Sequence, residues 1–291
     1  MKFFKKFLEY SRFSTGDFEN IFKNMEVPSC PQVVVTLMKR LSEPDIEIDQ
    51  IIPLLESDPA LALQILKVAN SALYALPIEV TTISKAVSLL GLKEIQNIAI
   101  GYAMTKALKD PQKTEFDFKK YWNDSILRAI FAKELASVID IQAEEAFSAS
   151  LLQDIAIPML MRKWYKFYGP IFKKWASSKC TFEEVENELL SWNHAQAGAW
   201  IAKNWELPDI FTCCIGLHNC SVEEIKELGL IDTSVIPVAI SSRLTALYQP
   251  EKNVDLVQKE AEKLGFTPKE VKQLFEKSKE LLSDVSSALG L

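Results

Sequence analysis

Four soft metal ligands stand within eight residues of this chain: Cys213, Cys214, His218 and Cys220. Thiolate and imidazole together suit zinc. The spacing departs from a C-x-x-C knuckle, and adjacent cysteines on a helix point about 100° apart. Cys213 and Cys214 therefore read better as small core hydrophobes, with zinc as the alternative. A second chemical oddity is Asp154, set in Leu151-Leu152-Gln153-Asp154-Ile155-Ala156-Ile157. So apolar a segment predicts that the carboxylate is at least partly buried. Without partners that costs several kcal/mol before its pKa shifts. Other signatures are missing: there is no Gly-rich phosphate loop, no G-x-S-x-G and no H-E-x-x-H.

The elements that must position these groups read as helices. Val33, Val34, Leu37, Met38 and Leu41 recur at three- and four-residue spacing, and Ile48, Ile51, Ile52 and Leu55 do the same. Asp58 suits an N-cap and Pro59 the first helical position, where no N–H is needed. Asn70-Ser71 fits the end of that helix, and side-chain–backbone hydrogen bonds there would hold the following loop. A short helix ends at Gly91, and the next is broken at Asp110-Pro111. A long helix is expected over about 118–139, with Trp122, Ile126, Ile130, Leu135 and Val138 on its buried side. Thr181-x-x-Glu184, Ser221-x-x-Glu224 and Thr267-x-x-Glu270 are three capping boxes before apolar-periodic segments. No run alternates as a strand bounded by hairpin turns would. The fold class is all-α.

The 291 residues suffice for one large domain or two modest ones. No apolar run reaches the roughly 18 residues that span a bilayer. The start, MKFFKKFLEYSRF, is interrupted by Lys5, Lys6 and Glu9 and lacks a cleavage site. It reads as an amphipathic helix docked on the domain, or as a weak membrane-surface anchor. Five cysteines without an export signal predict reduced thiols in a cytoplasm. A net charge of −6 argues against a nucleic-acid partner. No Lys/Arg cluster with interleaved aromatics stands out to counter that expectation.

Residues 58–101 read DPALALQILKVANSALYALPIEVTTISKAVSLLGLKEIQNIAIG, after a leading Val27-Pro28-Ser29-Cys30-Pro31. This wording resembles the HDOD domain, a relative of the HD metal-dependent phosphohydrolases associated with bacterial signal transduction. The resemblance implies two packed helical bundles, the second HD-like. The expected organisation is an extension over 1–24 and an HDOD domain over 25–225. Its first bundle would run to about residue 110 and its second from about 115. C-terminal helices over 226–291 would pack on the second bundle and bury Leu274, Phe275 and Leu282.

The resemblance also says where a metal site ought to lie. HD enzymes place His, His-Asp and Asp on separate helices, and such ligands suit a transition-metal ion that activates water. Here the first position, in Trp122-Asn123-Asp124-Ser125, is aspartate. The pair reads Gln153-Asp154, and the closing aspartate falls near Ser241 or Ser242. His194, in Asn193-His194-Ala195-Gln196-Ala197-Gly198, and His218 fall on further family positions, and they are the only two histidines. Asp124, Asp154, His194 and His218 are thus the candidate metal ligands, for a residual divalent ion or for none. No cofactor is otherwise expected, and no segment resembles the Gly-Tyr-Pro loop of cyclic-di-GMP phosphodiesterases. The implied role is regulatory, with another signalling protein or a small ligand as partner; the alternative is a divergent phosphohydrolase of nucleotides or cyclic nucleotides. In a metal-free protein, hydrogen bonds from His194 or His218 would sustain Asp154. Asp154→Asn is then expected to be tolerated or mildly stabilising, because the amide removes charge and keeps shape.

Overall fold

The computed structural model describes residues 18, 28–41, 43, 46–71, 74, 76, 78–112, 114–178, 180–244 and 250–289. Every regular element among them is a helix. The expected extension over 1–24 lies outside the described residues, apart from Phe18, whose buried ring meets Trp192 edge-on with centroids 5.4 Å apart.

The first group of helices is α1 (Gln32–Leu41), α2 (Ile48–Glu56), α3 (Pro59–Ala69), α4 (Ile83–Leu90) and α5 (Leu92–Ala107). Local chemistry sets their ends. Asp58 Oδ1 accepts from the N–H groups of Ala60 at 2.9 Å and Leu61 at 3.1 Å, capping α3 ahead of Pro59. Asn70 closes α3 and then clasps the next segment. Its amide accepts from Val80 N–H at 2.8 Å and donates to the carbonyls of Val80 at 2.8 Å and Leu66 at 2.9 Å. The expected loop-holding role of Asn70 is therefore real, and its hydrogen bonds reach Val80, three residues before α4. Gly91 ends α4 at φ +80°, a conformation L side chains disfavour.

The second group begins with α6 (Phe118–Val138), the long helix expected from the periodicity. It continues through α7 (Ala143–Leu152), α8 (Ala156–Lys163), α9 (Tyr165–Ala176), α10 (Phe182–Leu190), α11 (His194–Asn204), α12 (Asp209–Leu217), α13 (Val222–Glu227) and α14 (Val235–Ser241). Helix α6 is the spine, packed against α7 and α14. Its buried side includes Trp122, Ile126, Ile130 and Leu135, but Val138 is 61% exposed, beside the exposed Ser137 on the outer face of the helix. All three expected capping boxes form.

Two helices complete the chain, α15 (Pro250–Glu262) and α16 (Pro268–Leu289). Helix α16 lies mainly along α6 but also reaches α3 and α5 of the first group. Gln64 Nε2 donates to the Ala288 carbonyl at 2.7 Å, and Leu289 packs where a side chain at Gly101 would stand. Leu274, Phe275 and Leu282 are half-buried rather than buried. The residues that α16 buries are Val271, Ser278, Val285, Ala288 and Leu289. One continuous apolar core runs through both bundles.

Candidate functional site

Two helix termini bring the histidines together. Asn193 and Gln196 form a capping box that starts α11 with His194 as its first residue. His218 is the C-cap of α12. Gly198 lies four residues, one helical turn, after His194. A Cβ there would stand 2.8 Å from Ile215 Cγ2, so only glycine lets α11 and α12 approach this closely. Asp154 enters from the short turn between α7 and α8.

The three side chains converge on one point. Asp154 Oδ1 lies 3.3 Å from His194 Nε2 and 3.2 Å from His218 Nε2, and the two Nε2 atoms are 3.2 Å apart. The opposite ring nitrogens are committed. His218 Nδ1–H donates to the Ile215 carbonyl at 2.7 Å, and His194 Nδ1–H donates to Glu186 Oε2 at 2.5 Å. Glu186 is fully buried, also accepts from the His194 backbone N–H at 3.1 Å, and takes the Tyr168 hydroxyl hydrogen bond. Phe182 stacks on the His194 ring with centroids 5.4 Å apart.

Asp154 has another partner that the sequence motif does not announce. Arg128, one helical turn after Asp124 on α6, places Nη1 2.6 Å from Asp154 Oδ2, and both side chains are buried. Burial alone would raise the Asp154 pKa. The Arg128 charge, with the hydrogen bonds of His194 and His218, outweighs it and holds the carboxyl well below its usual range. Burial pulls the His194 imidazole down, but the Glu186 charge and the bonds to Asp154 and Glu186 lift it to about 10. The cluster is a buried chain of alternating charges: guanidinium, carboxylate, imidazolium, carboxylate.

The remaining candidates do not complete a metal site. Asp124 is buried but does not join the convergent group, which among the described residues is Asp154, His194 and His218 alone. Gln153 is wholly buried, and neither atom of its amide has a hydrogen-bond partner among the described residues. Ser241 Oγ donates to Val238 O at 2.8 Å and meets Ser150 Oγ at 3.0 Å. Ser242 Oγ donates to the His218 carbonyl at 2.7 Å. These hydroxyls brace the site rather than open toward it. Cys213 and Cys214 are core residues, as the helical spacing suggested, and the His218 Nε2 faces Asp154 instead of a thiol.

The donor set can be judged on its own geometry. Three donors at nearly equal separations, with both histidines oriented by second partners, fit a single divalent ion. They do not reproduce the fuller His, His-Asp, Asp set, because Gln153 and two committed serines stand at its other positions and Arg128 already holds Asp154. The Arg128 pairing also removes the basis for a tolerated Asp154→Asn. The amide would leave a guanidinium buried without its counter-charge, and that is strongly destabilising. Sequence reasoning missed Arg128, Glu186 and Tyr168. A charged residue one turn from Asp124, between the apolar runs Ile126-Leu127 and Ala129-Ile130-Phe131-Ala132, was the available signal for the first.

The family model of the HDOD domain matches residues 27–220. An uncharacterized protein of Treponema pallidum (strain Nichols) is 24% identical over 196 residues, which is 67% of this chain and 38% of that protein's length. Among solved structures, an HDOD domain protein of unknown function from Geobacter sulfurreducens superimposes with a TM-score of 0.74 at 22% identity, covering 96% of this chain and 98% of that one. A candidate phosphohydrolase from Shewanella amazonensis SB2B gives 0.73 at 22% identity, covering 95% and 99%. A candidate signal transduction protein from Marinobacter aquaeolei VT8 gives 0.74 at 23% identity, covering 93% and 60%. At these identities the structural likeness speaks for the all-helical fold, and the family match speaks for the rest: this chain belongs to the HDOD family.

Proposed function

We propose that this chain is a non-enzymatic regulatory protein of signal transduction, acting by binding another signalling protein or a small ligand through its HD-like bundle. The observation that carries this reading is the Arg128–Asp154 contact at 2.6 Å. Asp154 is the carboxylate that the His-Asp position retains, and a fixed cation of the chain already neutralises it. A catalytic ion would have to compete with a buried guanidinium for the same group. The free cysteines favour a cytoplasmic setting. None of the helices among the described residues is long and apolar enough to cross a membrane.

A second reading rests on the near-equilateral donor triangle. In it the chain is a divergent phosphohydrolase of a nucleotide or cyclic nucleotide. Asp154, His194 and His218 would hold one divalent ion, with Glu186 and the Ile215 carbonyl orienting the imidazoles. A bound ion there would supply an activated water. Metal analysis of the purified protein, with hydrolysis assays on nucleotides and cyclic dinucleotides in added Mn, Ni or Mg, separates the two. The regulatory reading expects neither tight metal nor turnover. Stoichiometric metal and turnover that vanishes in His218→Ala, with helicity retained, would establish the enzyme instead.

A further inference from the structure

The chain is acidic overall, with a net charge of −6. One stretch reverses that sign. Between Asp154 and Glu183 there is no acidic residue, while cations stand at 162, 163, 166, 173, 174 and 179 and aromatics at 164, 165, 167, 168, 172 and 175. The expectation that no Lys/Arg cluster interleaves with aromatics fails here. Its apolar members look like ordinary core, and the fold is needed to show which of them are not.

The stretch forms the corner between α8 and α9. Trp164 ends one helix and begins the next. Tyr168, Ile171 and Phe172 bury the inner face of α9 and fix it to the core. Phe167, on the outer face, is 68% exposed, more than any other large hydrophobic residue described. Its ring lies against the half-buried Trp164 with centroids 5.7 Å apart. Arg162, Lys163 and Lys166 are exposed beside it. Lys173 and Lys174 pair with Glu115 and Glu188, each at 2.8 Å, so they add little net charge, and Arg162 and Lys166 are the cations on which the outward charge of the corner rests. There Arg162 and Lys109 line an open groove of about 500 Å³ with Asp110, Gln112, Thr114 and Tyr165.

We infer that this corner is a docking site for a membrane surface bearing anionic phospholipids. A rigid aromatic tip enters the interface while the flanking cations meet headgroup phosphates, and the groove at Arg162 is large enough for one headgroup. A protein partner fits less well. A stable protein interface needs on the order of 1,000 Å² with an apolar centre, whereas this surface is a single aromatic pair with cations beside it. The acidic remainder of the chain is repelled by the same membrane, so the corner also orients the molecule on it.

Co-sedimentation of the full chain with vesicles tests the inference. Binding is expected to vesicles of 70% phosphatidylcholine and 30% phosphatidylglycerol and not to phosphatidylcholine alone, and to be lost in 0.5 M salt. Arg162→Gln with Lys166→Gln should weaken it about 30-fold, from roughly fivefold for each cation near an anionic surface. Phe167→Ser should weaken it about tenfold and leave helicity and thermal midpoint unchanged, because the ring is exposed. Lys2→Gln with Lys5→Gln and Lys6→Gln should leave most of the binding intact. Vesicle binding that ignores the corner variants and follows the N-terminal lysines overturns the inference. So does the absence of vesicle binding, or corner-dependent binding to an acidic peptide or single-stranded nucleic acid in its place.

Discussion

Helix α3 buries Leu61, Ile65, Val68 and Ala69, and no residue of α1 to α4 buries a charge. Around α6 and the α7–α8 turn the buried set includes Arg128, Gln153, Asp154, Glu186, His194 and His218. Both regions belong to one core, yet they are stabilised differently. In the first, each side chain gains from leaving water, and its contribution is local and indifferent to pH. In the second, each charge loses hydration and is sustained only by its neighbour. Such a cluster is no aid to stability compared with apolar residues of equal volume. Its dependence on mutual pairing makes it the part of the fold most sensitive to a single substitution.

Breaking the charged chain should produce the largest effect. Arg128→Leu leaves Asp154 without its guanidinium partner, and Asp154→Asn leaves Arg128 without its anion; each should cost roughly 3–5 kcal/mol in denaturant unfolding. Arg128→Leu combined with Asp154→Asn should recover much of that loss, since no unpaired charge then remains. If the double variant is no better than either single, the pairing is not what stabilises the turn. EDTA should leave the wild-type thermal midpoint unmoved under the regulatory reading.

The apolar region provides the control. Ile65→Ala should cost about 2–5 kcal/mol by loss of transfer energy and the cavity left behind. Unlike the charged variants, its deficit should be the same at pH 5 and pH 9. A strongly pH-dependent deficit would mean that the two regions are coupled through the shared core. A smaller effect is expected from Asn70→Ala, which removes two side-chain hydrogen bonds to Val80 in the loop before α4 and one to Leu66 at the end of α3. A loss of about 1–3 kcal/mol, with faster amide exchange at Val80, is the expected result. Unchanged exchange at Val80 would show that the loop is fixed by packing instead.

The smallest and most specific effect concerns titration. His194 is raised to about 10 in the folded chain. Its contribution to stability is therefore complete below the unfolded value near 6.5 and fades as pH rises from there through about 10. Asp154 acts with the opposite sign: its contribution is present at neutral pH and is lost only as pH falls through its depressed folded value. With only two histidines in the chain, NMR can follow each ring separately. A His194 resonance that titrates near 6.5 would sink the alternating-charge description.

Much of this protein is legible without coordinates, for reasons that are local. A cap, a capping box or a three-to-four periodicity is complete within one helical turn or two. Asp58, Asn70, Gly91 and the three capping boxes could therefore be read in place, and with them the all-α class. The HDOD wording, and the substitution of glutamine and serine at expected ligand positions, are equally matters of order along the chain.

The sequence by itself thus determined the helices, the family, and which titratable residues deserved notice. Only the tertiary structure decided their partners. Arg128 meets Asp154 because α6 runs past the α7–α8 turn, and Glu186 meets His194 because α10 packs beside the start of α11. Asp124 stays out of the convergent group, Val138 emerges into solvent, and Phe167 stands at an exposed corner, although each has the residue type of its alternative. The physical reason is that periodicity reports which side of a helix is apolar on average. Which charge neutralises which, and which ring remains in water, depends on distances between elements that no local pattern contains.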